Sequence, residues 1–170
     1  MDHSHLPPDP SFCSYCGMGL TKKLIPTEDR PRLVCTHGHV TYINPKLIAN
    51  IIPERNNKIL LLRRATEPRY GYWTMPGGFV EIDESPEEAA IREAKEEVNL
   101  DVVSYGLVGM YSRPVPDGPG IVSMVFHGGA GETEPTTTRE ALEIEWFDPD
   151  SIPWDHLAYE TTTWSLRDWL

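Results

Sequence analysis

Short apolar runs alternate with polar, glycine- or proline-bearing breaks along most of the chain, the rhythm of strands with few helices between them. Residues 47–53 and 58–63 read as strands. The second holds Ile59-Leu60-Leu61-Leu62, continuously apolar, as a strand covered on both faces is. Glu54-Arg55-Asn56-Asn57 between them reads as a hairpin turn. Residues 102–111, 121–127 and 142–147 predict three further strands. A Pro/Gly-rich loop over 112–120 separates the first two, and residues 128–138 are too polar and too rich in Gly and Thr to be core. Helical periodicity appears where Ala89, Ala90, Ile91, Ala94 and Val98 supply one apolar side, and residues 156–170 predict a closing helix. Residues 1–11 are polar, proline-bearing and expected to be loose.

The polar side of that first helix carries the chemistry. Residues 78–100 read GFVEIDESPEEAAIREAKEEVNL. Ser85 can cap the helix, Pro86 suits its first position, and Glu88 completes a Ser-x-x-Glu capping box. Glu93, Glu96 and Glu97 stand at i, i+3 and i+4, on one helical face, where like charges repel. A hard divalent cation turns that repulsion into attraction, because Mg²⁺ and Mn²⁺ take carboxylate oxygens. Gly77 and Gly78 precede the helix, where a loop needs unusual backbone angles or close approach to a ligand. The plainer alternative is a solvated acidic helix. The glycine loop and the fixed spacing favour the metal-binding one.

The spacing of Gly78, Glu84, Arg92, Glu93, Glu96, Glu97 and Leu100 resembles the Nudix box, Gly-x5-Glu-x7-Arg-Glu-U-x-Glu-Glu-x-Gly-U, with U bulky and apolar. Two positions depart. Ala94 is smaller than the usual U, and Asn99 replaces the late glycine. That place lies past the helix C-terminus, where left-handed angles are common and Asn is the usual substitute.

A second unit precedes this one. Cys13-Ser14-Tyr15-Cys16-Gly17 is a Cys-x2-Cys knuckle, followed by Cys35-Thr36-His37-Gly38-His39. The pair reads as a zinc ribbon. The second knuckle is one residue short of the usual pattern and lacks a fourth cysteine, so His37 or His39 must complete the set. Cys35-x3-His39 gives the chain more room and is preferred, with His37 kept open. A ribbon that has lost its metal, with Cys35 a buried thiol, is the alternative. His3 and His5 read as exposed tail residues. So short a unit cannot bury a useful core alone, and metal would supply its stability. The expected organisation is a flexible end over 1–11, a zinc-ribbon-like unit over 12–44, and a Nudix-type body over 45–170.

The chain has 170 residues, 39% of them hydrophobic and 9% aromatic, enough for one sizeable domain with an appendage. Its net charge of −11 argues against nucleic acid as a broad surface partner, since duplex binding rests on Lys and Arg neutralising phosphates. It leaves room for a small anionic substrate held by metal and a few arginines. No apolar run is long enough to span a membrane, and MDHSHLPPDPSF lacks the basic start and apolar core of a signal peptide. With 3 cysteines that cannot all pair internally, the expectation is the cytoplasm, with thiols reduced or metal-bound.

A ribbon joined to the body through Tyr42-Ile43-Asn44-Pro45-Lys46 is similar to a branch of the Nudix family that includes the NADH, ADP-ribose and FAD pyrophosphatases. The resemblance implies an α/β fold, the Nudix α/β/α sandwich with a mixed sheet, and hydrolysis of a nucleoside diphosphate linked to another moiety. It implies Glu93 and Glu97 as principal Mg²⁺ or Mn²⁺ positions, with Glu96 helping and Gly78 at the same site. Glu84 is more peripheral, and Arg92 orients the glutamates. Glu140 is the first candidate for metal ligand or base outside the box, and Glu143 the second; two exposed strand-edge glutamates is the competing reading. Tyr72, Trp73, Gly77, Gly78 and Arg64 are the substrate-side candidates. Trp73 is equally suited to the core, and Arg63 and Arg69 are further phosphate candidates. Residues 101–125 lack the array that marks NADH pyrophosphatases. Gly118 stands where diadenosine polyphosphate hydrolases carry tyrosine, and Pro116 where ADP-ribose pyrophosphatases carry proline. Ile152-Pro153-Trp154 followed by Leu157-Ala158-Tyr159 looks like the ending of ribbon-bearing ADP-ribose and FAD pyrophosphatases. ADP-ribose or FAD is therefore the first expectation. A nucleoside triphosphate-cleaving enzyme and a catalytically silent nucleotide-binding module are the rivals. Many relatives dimerise, so a homodimer belongs among the expectations.

Overall fold

Asn56 and Asn57 both adopt left-handed backbone angles, φ 52° and 62°, and this two-residue turn folds strand β4 (Lys46–Arg55) back onto β5 (Lys58–Arg64). Two left-handed residues in succession match the twist of the flanking strands, and Asn tolerates them. The computed structural model describes residues 9–26, 28–113 and 120–170. In chain order its remaining elements are β1 (Leu20–Lys23), β2 (Arg32–Cys35), β3 (Val40–Thr41), β6 (Trp73–Thr74), β7 (Gly77–Phe79), α1 (Pro86–Val98), β8 (Val102–Arg113), β9 (Ile121–Ala130), β10 (Ala141–Phe147) and α2 (Glu160–Trp169).

The larger unit is built on a seven-stranded sheet ordered β10-β5-β4-β9-β8, with β6 added to β5 and β7 to β4. The β4–β9 pairing is parallel and the other pairings are antiparallel, so the sheet is mixed. Alternation along β5 explains its continuous apolar run. Leu60 and Leu62 join a core with Ala89, Ala90, Ala94 and Val98 of α1, while Ile59 and Leu61 join one with Leu166 of α2. One helix covers each face, which is the α/β/α sandwich.

The α1 boundaries follow their residues. The Ser85 side chain accepts a hydrogen bond from the Glu88 amide, the Glu88 side chain accepts one from the Ser85 amide, and Pro86 opens the helix. Asn99 ends it in a left-handed conformation, φ 54° and ψ 36°, with its N–H on the carbonyls of Ala94 and Lys95. The missing glycine is thus replaced at a position whose backbone angles Asn accepts.

Several boundaries differ from the sequence reading. Glu54 and Arg55 belong to β4 and not to the turn, since they pair with Ile59 and Lys58. β8 runs on to Arg113 and β9 to Ala130, because they pair with each other along their full lengths. The last helix begins at Glu160, not at residue 156: Trp154–His156 forms a 3-10 turn, Leu157 bridges Trp73, and the Ala158 amide donates to the Trp73 carbonyl. Pro114, Pro116, Gly118 and Pro119 lie outside the described residues. Among the described residues no helix is long and apolar enough to cross a membrane.

The smaller unit is a three-stranded sheet, β1-β2-β3. Its buried residues among those described are Cys13, Leu33, Val34 and Cys35, too few to supply a core of ordinary size.

Asn99→Ala places an unfavourable Cβ-bearing residue in the left-handed region and is expected to lower stability by about 1 kcal/mol, while Asn99→Gly leaves it equal or higher. Urea unfolding of the three proteins checks the order.

Candidate functional site

α1 and β7 form the site together. β7 pairs with β4 so that Gly77 lies opposite Asn50 and Gly78 opposite Ala49. A Cβ at Gly77 would collide with the Asn50 side chain and the Ala49 carbonyl, and one at Gly78 with the Glu93 carboxylate. Both glycines serve close approach, and neither adopts left-handed angles. The gap that Gly78 leaves is filled by Glu93.

The carboxylates are held in a graded series. Glu97 is buried and accepts a hydrogen bond from the Gly77 amide at 2.9 Å. Burial pushes its carboxyl up to about 8; the Gly77 amide and Arg64 oppose the shift, and Glu93 and Glu140 add to it. Burial also raises Glu93, against the pull of Arg92. Glu84 goes the other way. Paired through two oxygens with Arg92, and accepting the Glu81 amide, it is held at about 2.

Arg92 spends its donors inside this network. Nε and Nη2 reach Glu84 at 2.9 and 2.7 Å. Nη1 reaches Glu93 at 2.8 Å and Glu96 at 3.0 Å, and Nη2 also reaches the Phe79 carbonyl at 3.1 Å. That accounts for every N–H a guanidinium offers, leaving none for a ligand. Arg92 is a brace between α1, the loop before it and the end of β7.

Glu140 comes from β10's approach, yet it is close enough to Glu93 and Glu97 to raise both. Thr138 explains its position. The hydroxyl donates to the Glu97 carbonyl at 2.9 Å and accepts the Glu140 amide at 3.3 Å. One residue pair earlier, the Thr136 amide donates to the Val98 carbonyl at 2.9 Å. The segment that reads as a soft loop therefore caps the orphan carbonyls at the end of α1. Glu143 is placed elsewhere, exposed and paired with Arg63 at 3.3 Å.

The substrate-side candidates separate. Arg64 is half-buried, lies opposite Ala141 in the β5–β10 register, and acts to lower the Glu97 carboxyl. Its guanidinium lies over the Tyr159 ring, 5.4 Å from the centroid. Tyr72 is exposed under Arg69, at 5.5 Å. Trp73 is half-buried and packs edge-on to Phe147 at 5.0 Å, within the core on the α2 side. Thr138 escaped the sequence reading, and Tyr159 entered it only as part of the C-terminal run, since each acts on a residue far away in the chain.

In the ribbon unit, one ligand atom each from Cys13, Cys16, Cys35 and His39 lies within 4.8 Å of all the others. The Cys16 and Cys35 sulfurs are 3.7 Å apart, and the Cys13 sulfur is 3.6 Å from His39 Nδ1. A tetrahedral zinc with bonds of about 2.3 Å to sulfur and about 2.0 Å to nitrogen needs ligand separations of this size. His39 enters the cluster, while His37 stacks beside it, ring edge to face at 6.3 Å. The carboxylate set around Glu93 and Glu97 suits a different ion, a hard divalent cation, by its all-oxygen chemistry.

Residues 45–169 match a family model described as NUDIX domain, and residues 11–42 match a zinc-ribbon model described as Nudix N-terminal. The chain is 36% identical over 138 residues to a Methanocaldococcus jannaschii protein named ADP-ribose pyrophosphatase, covering 81% of this chain and 78% of that protein. It is 29% identical over 143 residues to a Shigella flexneri protein named NAD-capped RNA hydrolase, covering 84% of this chain and 53% of that one, about half the relative's length. A solved NUDIX hydrolase from Nitrosomonas europaea superposes with a TM-score of 0.86 at 34% identity, covering 93% of this chain and 89% of that one.

Glu97 generates a pH dependence of stability. Its folded-state carboxyl sits at about 8, above its ordinary 4.5, so the folded chain holds a proton that the unfolded chain has released. In metal-free protein the contribution is present below pH about 4.5 and is lost as pH rises to about 8, on the order of a few kcal/mol. Denaturation of metal-free wild type and Glu97→Gln across that window checks it. The wild type is expected to lose more stability, and parallel curves would refute the assignment.

Proposed function

The chain belongs to the Nudix hydrolase family, and on that premise we propose that it hydrolyses a nucleoside diphosphate-linked substrate, ADP-ribose or FAD first, with release of a nucleoside monophosphate. The observation that carries this reading is the placing of Glu93 and Glu97 against the glycine strand, with Glu96 held to Glu93 through Arg92 and Glu140 near enough to raise Glu93 and Glu97. Four carboxylates brought together against their own repulsion form a site for Mg²⁺ or Mn²⁺. Such an ion supplies charge to offset the diphosphate and acidifies the attacking water.

The chain's own residues do the rest. Glu93 and Glu97 hold the cation site, with Glu96 at its exposed side, and Arg92 fixes their orientation. Glu140 takes the proton from the attacking water, whose oxygen joins one phosphorus as the phosphorus–oxygen bond to the bridging oxygen breaks. The displaced phosphate leaves with the second moiety. Arg64, at the end of β5 opposite Ala141, faces the phosphates. The relative named ADP-ribose pyrophosphatase and the C-terminal run from Ile152 to Tyr159 support the substrate choice. The relative named NAD-capped RNA hydrolase keeps dinucleotide ends in the comparison.

We assign zinc to Cys13, Cys16, Cys35 and His39 as a structural ion. Thiolate ligands in a chain without disulfides fit a reducing compartment, the cytoplasm.

A panel of ADP-ribose, FAD, NADH, NAD-capped RNA, diadenosine polyphosphates and nucleoside triphosphates, each with Mg²⁺ or Mn²⁺, tests the activity. Metal-dependent AMP release from ADP-ribose or FAD is expected, reduced about a thousandfold or more in Glu97→Gln. Preferred cleavage of triphosphates would move the substrate to that rival class, and nucleotide binding without turnover would leave a silent module. Metal analysis tests the ribbon: about one zinc per chain in wild type and His37→Ala, and loss of that zinc in His39→Ala. Equal zinc in both variants would defeat the ligand choice.

A further inference from the structure

Tyr159 makes no contact that its place in the sequence announces, yet it lies where the recognition side of the site meets the sheet. Arg64 stacks over its ring, 5.4 Å from the centroid. The Tyr159 hydroxyl and Arg64 Nε both donate to the same acceptor, the Pro68 carbonyl, at 3.5 and 3.0 Å. Arg64 Nη2 reaches the Thr66 hydroxyl at 3.3 Å. The guanidinium is thereby held by a ring below and neutral oxygens at one edge. Among the described residues it makes no ion pair with a carboxylate, and Nη1 has no hydrogen-bond partner. In this strongly acidic chain that is a reserved charge.

Tyr159 can act as a platform because it is itself fixed. It is the residue before α2, and Thr163 returns both its amide and its hydroxyl to the Tyr159 carbonyl. The preceding residues are locked to β6 through the Leu157–Trp73 bridge and the Ala158 amide. Behind it, Leu166 is fully buried and Thr162 meets Thr74 of the sheet at 3.4 Å. Arg64 ends β5, where the chain leaves the sheet for residues 65–72, so a rigid partner is what its side chain requires.

We infer that Tyr159 is a positioning residue for substrate binding: its ring fixes the guanidinium of Arg64, which lies opposite Ala141 and next to the Ala65–Glu140 hydrogen bond, so that the unpaired edge meets a phosphate of the nucleoside diphosphate. This deepens the proposed function and rests on it. Because the contact is made to ground state and transition state alike, it acts on KM and leaves kcat in place.

Steady-state kinetics with ADP-ribose and Mg²⁺ test the assignment. Tyr159→Leu removes the stacking face and is expected to raise KM about five- to tenfold, with kcat within about twofold of wild type. Tyr159→Phe keeps the ring and restores KM to within about twofold. Arg64→Lys keeps the charge and loses the flat face, and is expected to raise KM by a similar factor without disturbing α2. In an Arg64→Gln background, Tyr159→Leu adds nothing further, because the ring then has no guanidinium to place. An unchanged KM in Tyr159→Leu, or the same further loss in both backgrounds, overturns the proposal, as does a kcat loss that Tyr159→Phe shares. Calorimetric titration with ADP and Mg²⁺ reads the contact without turnover. A chain that hydrolyses nothing, yet binds ADP more weakly after Tyr159→Leu, refutes the hydrolase reading and keeps this one.

Discussion

The structure turns on a carboxylate placed where it is uncomfortable. Glu97 lies buried between α1 and β7, with a single amide, that of Gly77, as its hydrogen-bond partner. Leaving a carboxyl there costs free energy unless it is protonated or a cation is close. Everything around it narrows those choices. Gly78 has no side chain, so Glu93 comes up against the strand backbone. Arg92 draws Glu84, Glu93 and Glu96 toward itself and consumes all its donors in doing so. Its charge therefore orders the outer carboxylates, and among the described residues Glu97 has no ion pair. In the proposed reading a divalent cation takes that place.

A second constraint couples that helix to the residue proposed as base. The C-terminus of α1 leaves carbonyls without helical partners. Thr136 and Thr138 satisfy those of Val98 and Glu97, and Arg55 holds the same segment from the other side through the carbonyls of Gly131 and Thr133 and the carboxylate of Glu134. The segment has little apolar content, and hydrogen bonds define its path. Glu140 follows directly, its amide on the Thr138 hydroxyl. The same interactions that finish the helix thus carry a carboxylate from a distant part of the chain toward Glu93 and Glu97.

These two constraints explain what the sequence disclosed. The capping box, the three-glutamate face and the left-handed Asn99 are local: spacing within a few residues determines them, and the structure has each in place. The continuous apolar run of β5 was legible because it signals cover on both faces whatever provides it. The path of residues 131–140 was not legible, because its partners, Arg55 and the end of α1, are remote in sequence. The start of α2 was misplaced for the same reason: residues 157 and 158 answer to β6, and periodicity alone cannot register a strand partner. In the ribbon, Cys35 to His39 spacing admitted either histidine; three-dimensional closure of the cluster distinguishes them.

The arrangement of arginines extends the argument from metal to substrate. Arg30, Arg32, Arg55, Arg63, Arg92 and Arg139 each have a carboxylate partner. Among the described residues Arg64, Arg69 and Arg167 instead rest on the rings of Tyr159, Tyr72 and Trp154 without an ion pair. In a chain with 26 acidic side chains and a net charge of −11, carboxylates are in excess, so an arginine such as Arg64 that has no ion pair among the described residues, though its strand lies next to the Glu140–Ala141 segment, requires a local reason. An aromatic face attracts a guanidinium without neutralising it, and it leaves the in-plane N–H groups able to bind an anion. In the proposed reading, Glu97 and its neighbours supply the cation-binding half of a diphosphate site, and Arg64, stacked on Tyr159, supplies the half that binds the anion directly. A broadly acidic protein can hold a small polyanion because the favourable charge is confined to the few ångströms where the phosphates lie.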